Sequence, residues 1–200
     1  MGHQFAEIAF TPTVRAIQEA EGSRASYAKN DLGDRHHDRL GGREAAFIAL
    51  RDSFYMATVS ETGWPYVQHR GGPPGFLRVL DDKTLGFADF RGNRQYVTVG
   101  NLAKNDRVSL FLMDYPHQAR LKILGRARIA DLDENSEIAA ALLPAGYRAK
   151  PERLILIAVE AFDWNCSQHI IKRFTLAEVT PAVEALQSRI AELEEELAAR

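Results

Sequence analysis

A single cysteine, Cys166, stands in 200 residues. That scarcity excludes an intrachain disulfide and any metal site built from several thiolates. It matches a reducing, cytoplasmic setting. No apolar run approaches the roughly 20 residues that a membrane span requires, so no membrane partner is expected. The opening residues, MGHQFAEIAFTPTVRAIQEAEG, lack the long apolar core and basic flank of a signal peptide. No Gly-x-Gly-x-x-Gly follows a strand, and no Walker-type loop occurs. Nucleotide binding by those folds therefore has no support.

Excess charge is missing too. The net charge is −2, which gives the whole chain no nucleic-acid signal. The charges are unevenly spread, however. Residues 66–128 hold 11 Lys/Arg against 5 Asp/Glu, a local balance of +6, which leaves −8 for the rest. A basic middle in an acidic chain suits a small anionic ligand better than a duplex. The 46% hydrophobic content suits one domain with a real core.

Residues 1–42 read as a polar extension, with a short helix over Thr13–Ala20 and loop from Glu21 to Gly42. His36 and His37 lie in that loop. Adjacent histidines point apart on regular structure, so they read as solvated rather than as a metal pair. Arg43–Asp52 reads as a helix with Ala46, Phe47 and Leu50 on one face. Phe54–Ser60 and Pro65–Arg70 read as strands joined by the Glu61–Trp64 turn. Gly71-Gly72-Pro73-Pro74-Gly75 interrupts the second strand, and Phe76–Leu80 resumes it. Glu134–Leu143 reads as a helix and Leu154–Val159 as a continuously apolar strand. Short strands with close turns predict a barrel rather than a parallel sheet. At the C-terminus, Thr180 and Pro181 predict a helix start. Val179, Val183, Leu186, Ile190, Leu193 and Leu197 recur at spacings of four and three, an a/d seam of about three heptads. That seam calls for a partner surface, either its twin or a barrel.

Chemistry concentrates between Phe87 and Leu112. The order is a strand over Thr84–Phe90, a tight Arg91-Gly92-Asn93-Arg94 turn, a short helix and a second strand. Gly92 and Asn93 are suited to the positive φ of a tight turn. Arg94 then stands where the chain changes direction, free to meet a phosphate through two parallel hydrogen bonds. Gln95 adds a neutral donor.

The segments Phe87-Ala88-Asp89, Gly92-Asn93-Arg94-Gln95 and Asn105–Leu110, followed by the Leu121–Ala127 run, together resemble the pyridoxamine 5′-phosphate oxidase-like family of FMN-binding split barrels. The resemblance covers residues 44–174 or so. It implies a mainly β fold with flanking helices and a six-stranded antiparallel split β-barrel over residues 43–175; the a/d seam beyond it reads as a C-terminal amphipathic, coiled-coil-like helix over 176–200. It also implies a homodimer with FMN bound at the interface.

Carried over residue by residue, the resemblance places the cofactor against Gln68, His69, Arg70 and Gly71, against Ala88, Asp89 and Phe90, and against Asn93, Arg94 and Gln95. Arg120 falls where the family often has a flavin-contacting Gln, and Trp164 is a candidate wall of the pocket. There are departures. The oxidases carry Arg-Lys where this chain has Arg94-Gln95. They lack the GGPPGF insertion, and their C-terminal substrate-binding Arg-x-His is missing here. Trp164 and Arg173 stand nine apart instead of ten. These differences argue against pyridoxamine 5′-phosphate as substrate while leaving the cofactor in place.

The expected activity is a flavin-dependent oxidoreductase acting on a small organic substrate. A non-enzymatic flavin or haem carrier or sensor, or a deazaflavin-dependent reductase, could share the barrel. In Trp164-Asn165-Cys166-Ser167-Gln168-His169 a Cys–His pair is conceivable, but Cys166 reads first as a structural thiol at a strand end, and no catalytic residue is assigned.

Overall fold

Alternation of apolar and polar side chains builds most of this molecule. In the computed structural model, which describes residues 2–28, 35–164 and 168–199, the chain divides into two compact units. The first lies within residues 1–113 and 120–166, the second within 114–119 and 167–200.

The first unit is organised around one sheet. Its strands are β3 (Ser53–Val59), β4 (Pro65–Gly71), β5 (Arg78–Asp81), β6 (Thr84–Phe90), β7 (Arg107–Asp114), β8 (Ala119–Ala130) and β9 (Pro151–Trp164). They lie in the order β4-β3-β7-β8-β9-β6-β5. The ladders β3/β4, β3/β7, β5/β6, β6/β9 and β8/β9 are antiparallel. The sheet thus has seven strands and ends at β4 and β5 without closing, where the sequence predicts a six-stranded barrel.

The Gly71–Gly75 segment explains the difference. Gly72 and Gly75 donate backbone N–H groups to the carbonyls of Asp52 and Arg51, and Gly75 has φ +79°. The chain does not resume the old strand. It crosses to the far edge, so β4 and β5 are separate edge strands rather than one interrupted strand.

Register fixes the faces. In β3, Phe54, Met56 and Thr58 are buried, while Tyr55 is exposed on the opposite face. Their partners Arg70, Gln68 and Tyr66 on β4 share the inner face. Phe54, Met56, Leu110, Leu112, Leu121, Ile123, Ile155 and Ile157 form the main core. The LILIAV run is apolar throughout because β9 is covered on both faces. Its Leu154 and Leu156 pack with Leu142 of α6 (Ser136–Leu142) in a second cluster. At Gly125 a bulge brings β9 so close that a Cβ would meet the Ala158 carbonyl at 2.6 Å. Only glycine fits there.

Around the sheet lie α1 (Gln4–Ala9), α2 (Pro12–Ala20), α3 (Arg24–Ala28), α4 (Gly42–Ala49) and α5 (Val97–Leu102). Part of the segment read as loop is ordered: it contains α3 and β2 (Arg35–His36), which pairs in parallel with β1 (Gly2–His3). The Asp31–Asp34 stretch of that loop lies outside the described residues. His37 is exposed but partnered, since its Nδ1 meets Nε2 of His3.

In the second unit, α7 (Leu176–Ala198) is capped five residues before the Thr180 cap predicted from sequence. Thr175 is the cap. Its hydroxyl accepts from the Glu178 N–H at 3.3 Å, and Glu178 accepts from the Thr175 N–H at 2.7 Å. This reciprocal box satisfies two end donors. Pro181 is tolerated inside the helix, where it forfeits a single hydrogen bond near the N-terminus. Gln118 donates to the Ile170 carbonyl at 2.6 Å, and the Arg173 guanidinium lies 5.0 Å from the centre of the Tyr115 ring. No helix among the described residues is long and apolar enough to cross a membrane.

Candidate functional site

Two adjoining hollows, of ≈ 230 Å³ and ≈ 170 Å³, open between β4, the end of β6 and the turn that leads into α5. They share Gln68, Arg70, Asp89 and Phe90. The first adds Tyr66, Asn93, Arg94, Gln95, Tyr96, Thr98 and Glu152, and the second adds His69, Gly71, Phe76, Phe87 and Ala88.

The turn is built differently from its sequence reading. Gly92 and Asn93 do not take positive φ. Arg94 (φ 60°) and Tyr96 (φ 53°) do. Asn93 instead closes a side-chain turn, its Oδ1 accepting from the Gln95 N–H at 3.2 Å. Two left-handed residues, two positions apart, swing the chain sharply into α5. The Arg94 Nε donates to the Tyr96 hydroxyl at 2.9 Å. That bond holds the guanidinium at the rim and raises its pKa above the usual arginine value.

Below the rim lies a chain of ion pairs. Arg70 Nη1 meets Asp89 Oδ1 at 2.6 Å, with both side chains nearly buried. Arg153 lies 3.6 Å from Asp89 and 2.8 Å from Glu152, and Arg91 stands 3.8 Å from Glu152. Three arginines thus face two carboxylates. The excess charge is positive, and Arg70 gives one Nη to Asp89. Its Nε is buried without a hydrogen-bond partner among the described residues. Thr98 donates to Gln68 at 2.9 Å, and buried Asn101 donates to Thr58 at 2.9 Å, so α5 is tied to both β4 and β3.

Ten of the twelve residues proposed from the sequence therefore line one connected cleft. Arg120 and Trp164 do not. Arg120 lies on the outer sheet face, 5.8 Å from the Phe111 ring, in a row with Tyr55 and His69. Trp164 packs against α4. It donates to Glu44 at 2.7 Å, meets Phe47 edge-on and carries the Arg43 guanidinium 4.2 Å above its ring. Tyr96, Arg153 and Glu152 are the residues that sequence reasoning missed. Tyr96 follows Arg94 by two, a signal that was available. Arg153 and Glu152 reach the cleft only through β6/β9 pairing, where Asp89 stands opposite Arg153. Asn165, Cys166 and Ser167 lie outside the described residues. His169 is described, with φ 64°, and belongs to the second unit. Among the described residues no group of His, Cys, Asp and Glu could hold a metal ion.

Residues 42–166 match the family model described as pyridoxamine 5′-phosphate oxidase. Among solved structures, the chain resembles HupZ from Group A Streptococcus (17% identity, TM-score 0.48, covering 68% of this chain and 100% of that one). It also resembles a protein named as a possible pyridoxamine 5′-phosphate oxidase from Lactobacillus delbrueckii (18% identity, TM-score 0.49, 63% and 94% covered). A third is an FMN-binding protein from Syntrophomonas wolfei (14% identity, TM-score 0.45, 74% and 97% covered). No curated protein matches the chain.

Proposed function

Because this chain belongs to the pyridoxamine 5′-phosphate oxidase family, we propose that it binds FMN in the cleft beside β4 and works as a flavin-dependent oxidoreductase on a small organic substrate other than pyridoxamine 5′-phosphate. The observation that carries the reading is the convergence of Asn93, Arg94 and Gln95 with edge strand β4 around one cleft.

The residues fit the group. Arg94 is held by its Nε, which leaves both Nη amines for a phosphate, and Asn93 and Gln95 add neutral donors beside it. Because β4 is an edge strand, its outward backbone N–H and C=O groups from Gln68 to Gly71 have no strand partner. They can meet the polar rim of a planar ring, and the glycines beyond them allow close approach. Phe76, Phe87 and Phe90 give the apolar surface such a ring needs. Bound there, FMN supplies the redox chemistry. The protein binds the phosphate, orients the ring and excludes water from one side of it.

A second copy would supply the other side. The outer face of β3 and β4 leaves Tyr55 40% and Val67 60% exposed, an apolar surface that suits a homodimer. Arg120 stands on that face. In a dimer it could reach the partner's flavin, which is how it would take the role the family resemblance gives it.

Absorbance and native mass spectrometry of the purified protein test the reading. FMN mass together with flavin bands is the expected result. A haem Soret band, a deazaflavin, or no chromophore after incubation with FMN would defeat it. Turnover with NAD(P)H and acceptors then separates an enzyme from a carrier.

A further inference from the structure

α7 is 23 residues long, and none of them is buried. Val183, Leu186, Ile190, Leu193 and Leu197 are 42–68% exposed along one stripe. In heptad terms Val183, Ile190 and Leu197 take the a positions, and Val179, Leu186 and Leu193 take d. The four central layers thus alternate β-branched Val183 and Ile190 at a with Leu186 and Leu193 at d. That combination favours two parallel strands over higher assemblies.

The flanking charges choose the same geometry. Arg189 falls at g and Glu194 at e. In a parallel pair, a g residue of one helix meets the e residue five further along the other. Arg189 therefore meets Glu194 of the second copy, once on each side of the axis. The antiparallel register that keeps all six seam residues paired would bring Arg189 against its own mate. Within one chain Arg189 holds Glu192 at 2.7 Å. Both are more than half exposed, and such a pair is worth little in water. Exchanging it for Glu194 across the seam costs little.

We propose that α7 is a dimerisation element that takes a second copy of this chain into a parallel two-stranded coiled coil. Its seam is Val183, Leu186, Ile190 and Leu193, and its register is set by Arg189–Glu194 pairs. About three heptads are marginal in isolation. Tethering to paired barrels, where the dimer reading above holds, raises the effective concentration to the millimolar range or so. A parallel pair also keeps its two-fold axis along the seam, the closed symmetry a homodimer requires.

Thiol cross-linking of the full chain in a Cys166→Ser background tests this without reference to the flavin. Under mild oxidation Leu193→Cys should give mostly covalent dimer, because the d positions adjoin only in the parallel register. Ser188→Cys, on the outer helix face, should stay largely monomeric on a denaturing gel. Adding Arg189→Glu to Leu193→Cys should slow cross-linking several-fold, and adding Glu194→Arg to that variant should restore it. Equal yields from Leu193→Cys and Ser188→Cys, or no effect of the charge changes, would overturn the coiled coil and leave the cofactor reading standing.

Discussion

Arg70 comes from β4 at one edge of the sheet and Asp89 from β6, next to the other edge, yet their side chains meet at 2.6 Å with only 12% and 11% of each exposed. The pair closes the floor of the cleft. Breaking a buried pair from one side leaves a charge without compensation, which typically costs about 3–5 kcal/mol. Asp89→Asn leaves Arg70 without its carboxylate, while Arg153 keeps Glu152 at 2.8 Å. It should lower stability by about 3 kcal/mol, or roughly 6–12 °C in Tm for a chain this size. Differential scanning calorimetry checks it, and a loss below about 1 kcal/mol would show that the network relaxes around the amide.

Arg94→Ala should weaken FMN binding by roughly tenfold or more, and Arg91→Ala should change it little. Arg94 lines the cleft, whereas Arg91 does not and leans toward Glu152 at 3.8 Å. Titration of apo-protein followed by flavin fluorescence reads both. Equal affinities would remove Arg94 from the phosphate site.

Pyridoxamine 5′-phosphate should be oxidised slowly or not at all, since the Arg-x-His pattern is missing and Gln95 replaces a lysine. Aldehyde formation above about one turnover per second, an ordinary enzyme rate, would contradict this.

Deletion of residues 178–200 should leave a flavin-binding dimer of lower thermal stability. All cleft residues lie in the first unit and the deleted ones in the second. Light scattering with absorbance decides between this outcome and a flavin-free monomer.

The fifth prediction concerns acid. Burial holds the His3 pKa below its usual 6.5, and the facing His37 lowers it further. Lys122 acts in the same direction, against the opposing pull of Asp163 3.6 Å away. A base with a depressed native pKa binds protons more readily once released. Its contact is therefore undiminished above about pH 6.5 and weakens as the pH falls below that value. Protection factors over residues 2–10, that is exchange corrected for its intrinsic pH dependence, should fall between pH 7.5 and pH 5.5, and His3→Asn should flatten that dependence. Identical profiles for the two proteins would exclude His3 as the cause.

Local information in the chain determined a good deal. Alternation over Ser53–Val59, the apolar run at Leu154–Val159 and the a/d spacing of the tail each specify an element, because side-chain periodicity is a property of neighbouring residues. The order of motifs around Arg94 gave the family and ten residues of one cleft. Tertiary structure decided what depends on strands distant in sequence. It sent the chain after Gly71 to the opposite edge and so made seven strands. It set Arg70 against Asp89, and brought in Arg153 and Glu152 through pairing across more than sixty residues. It set Trp164 on α4 and Arg120 on the outer face. A residue type shows what a side chain can do, but its partner is fixed by register and by packing between distant segments, and no local pattern encodes those.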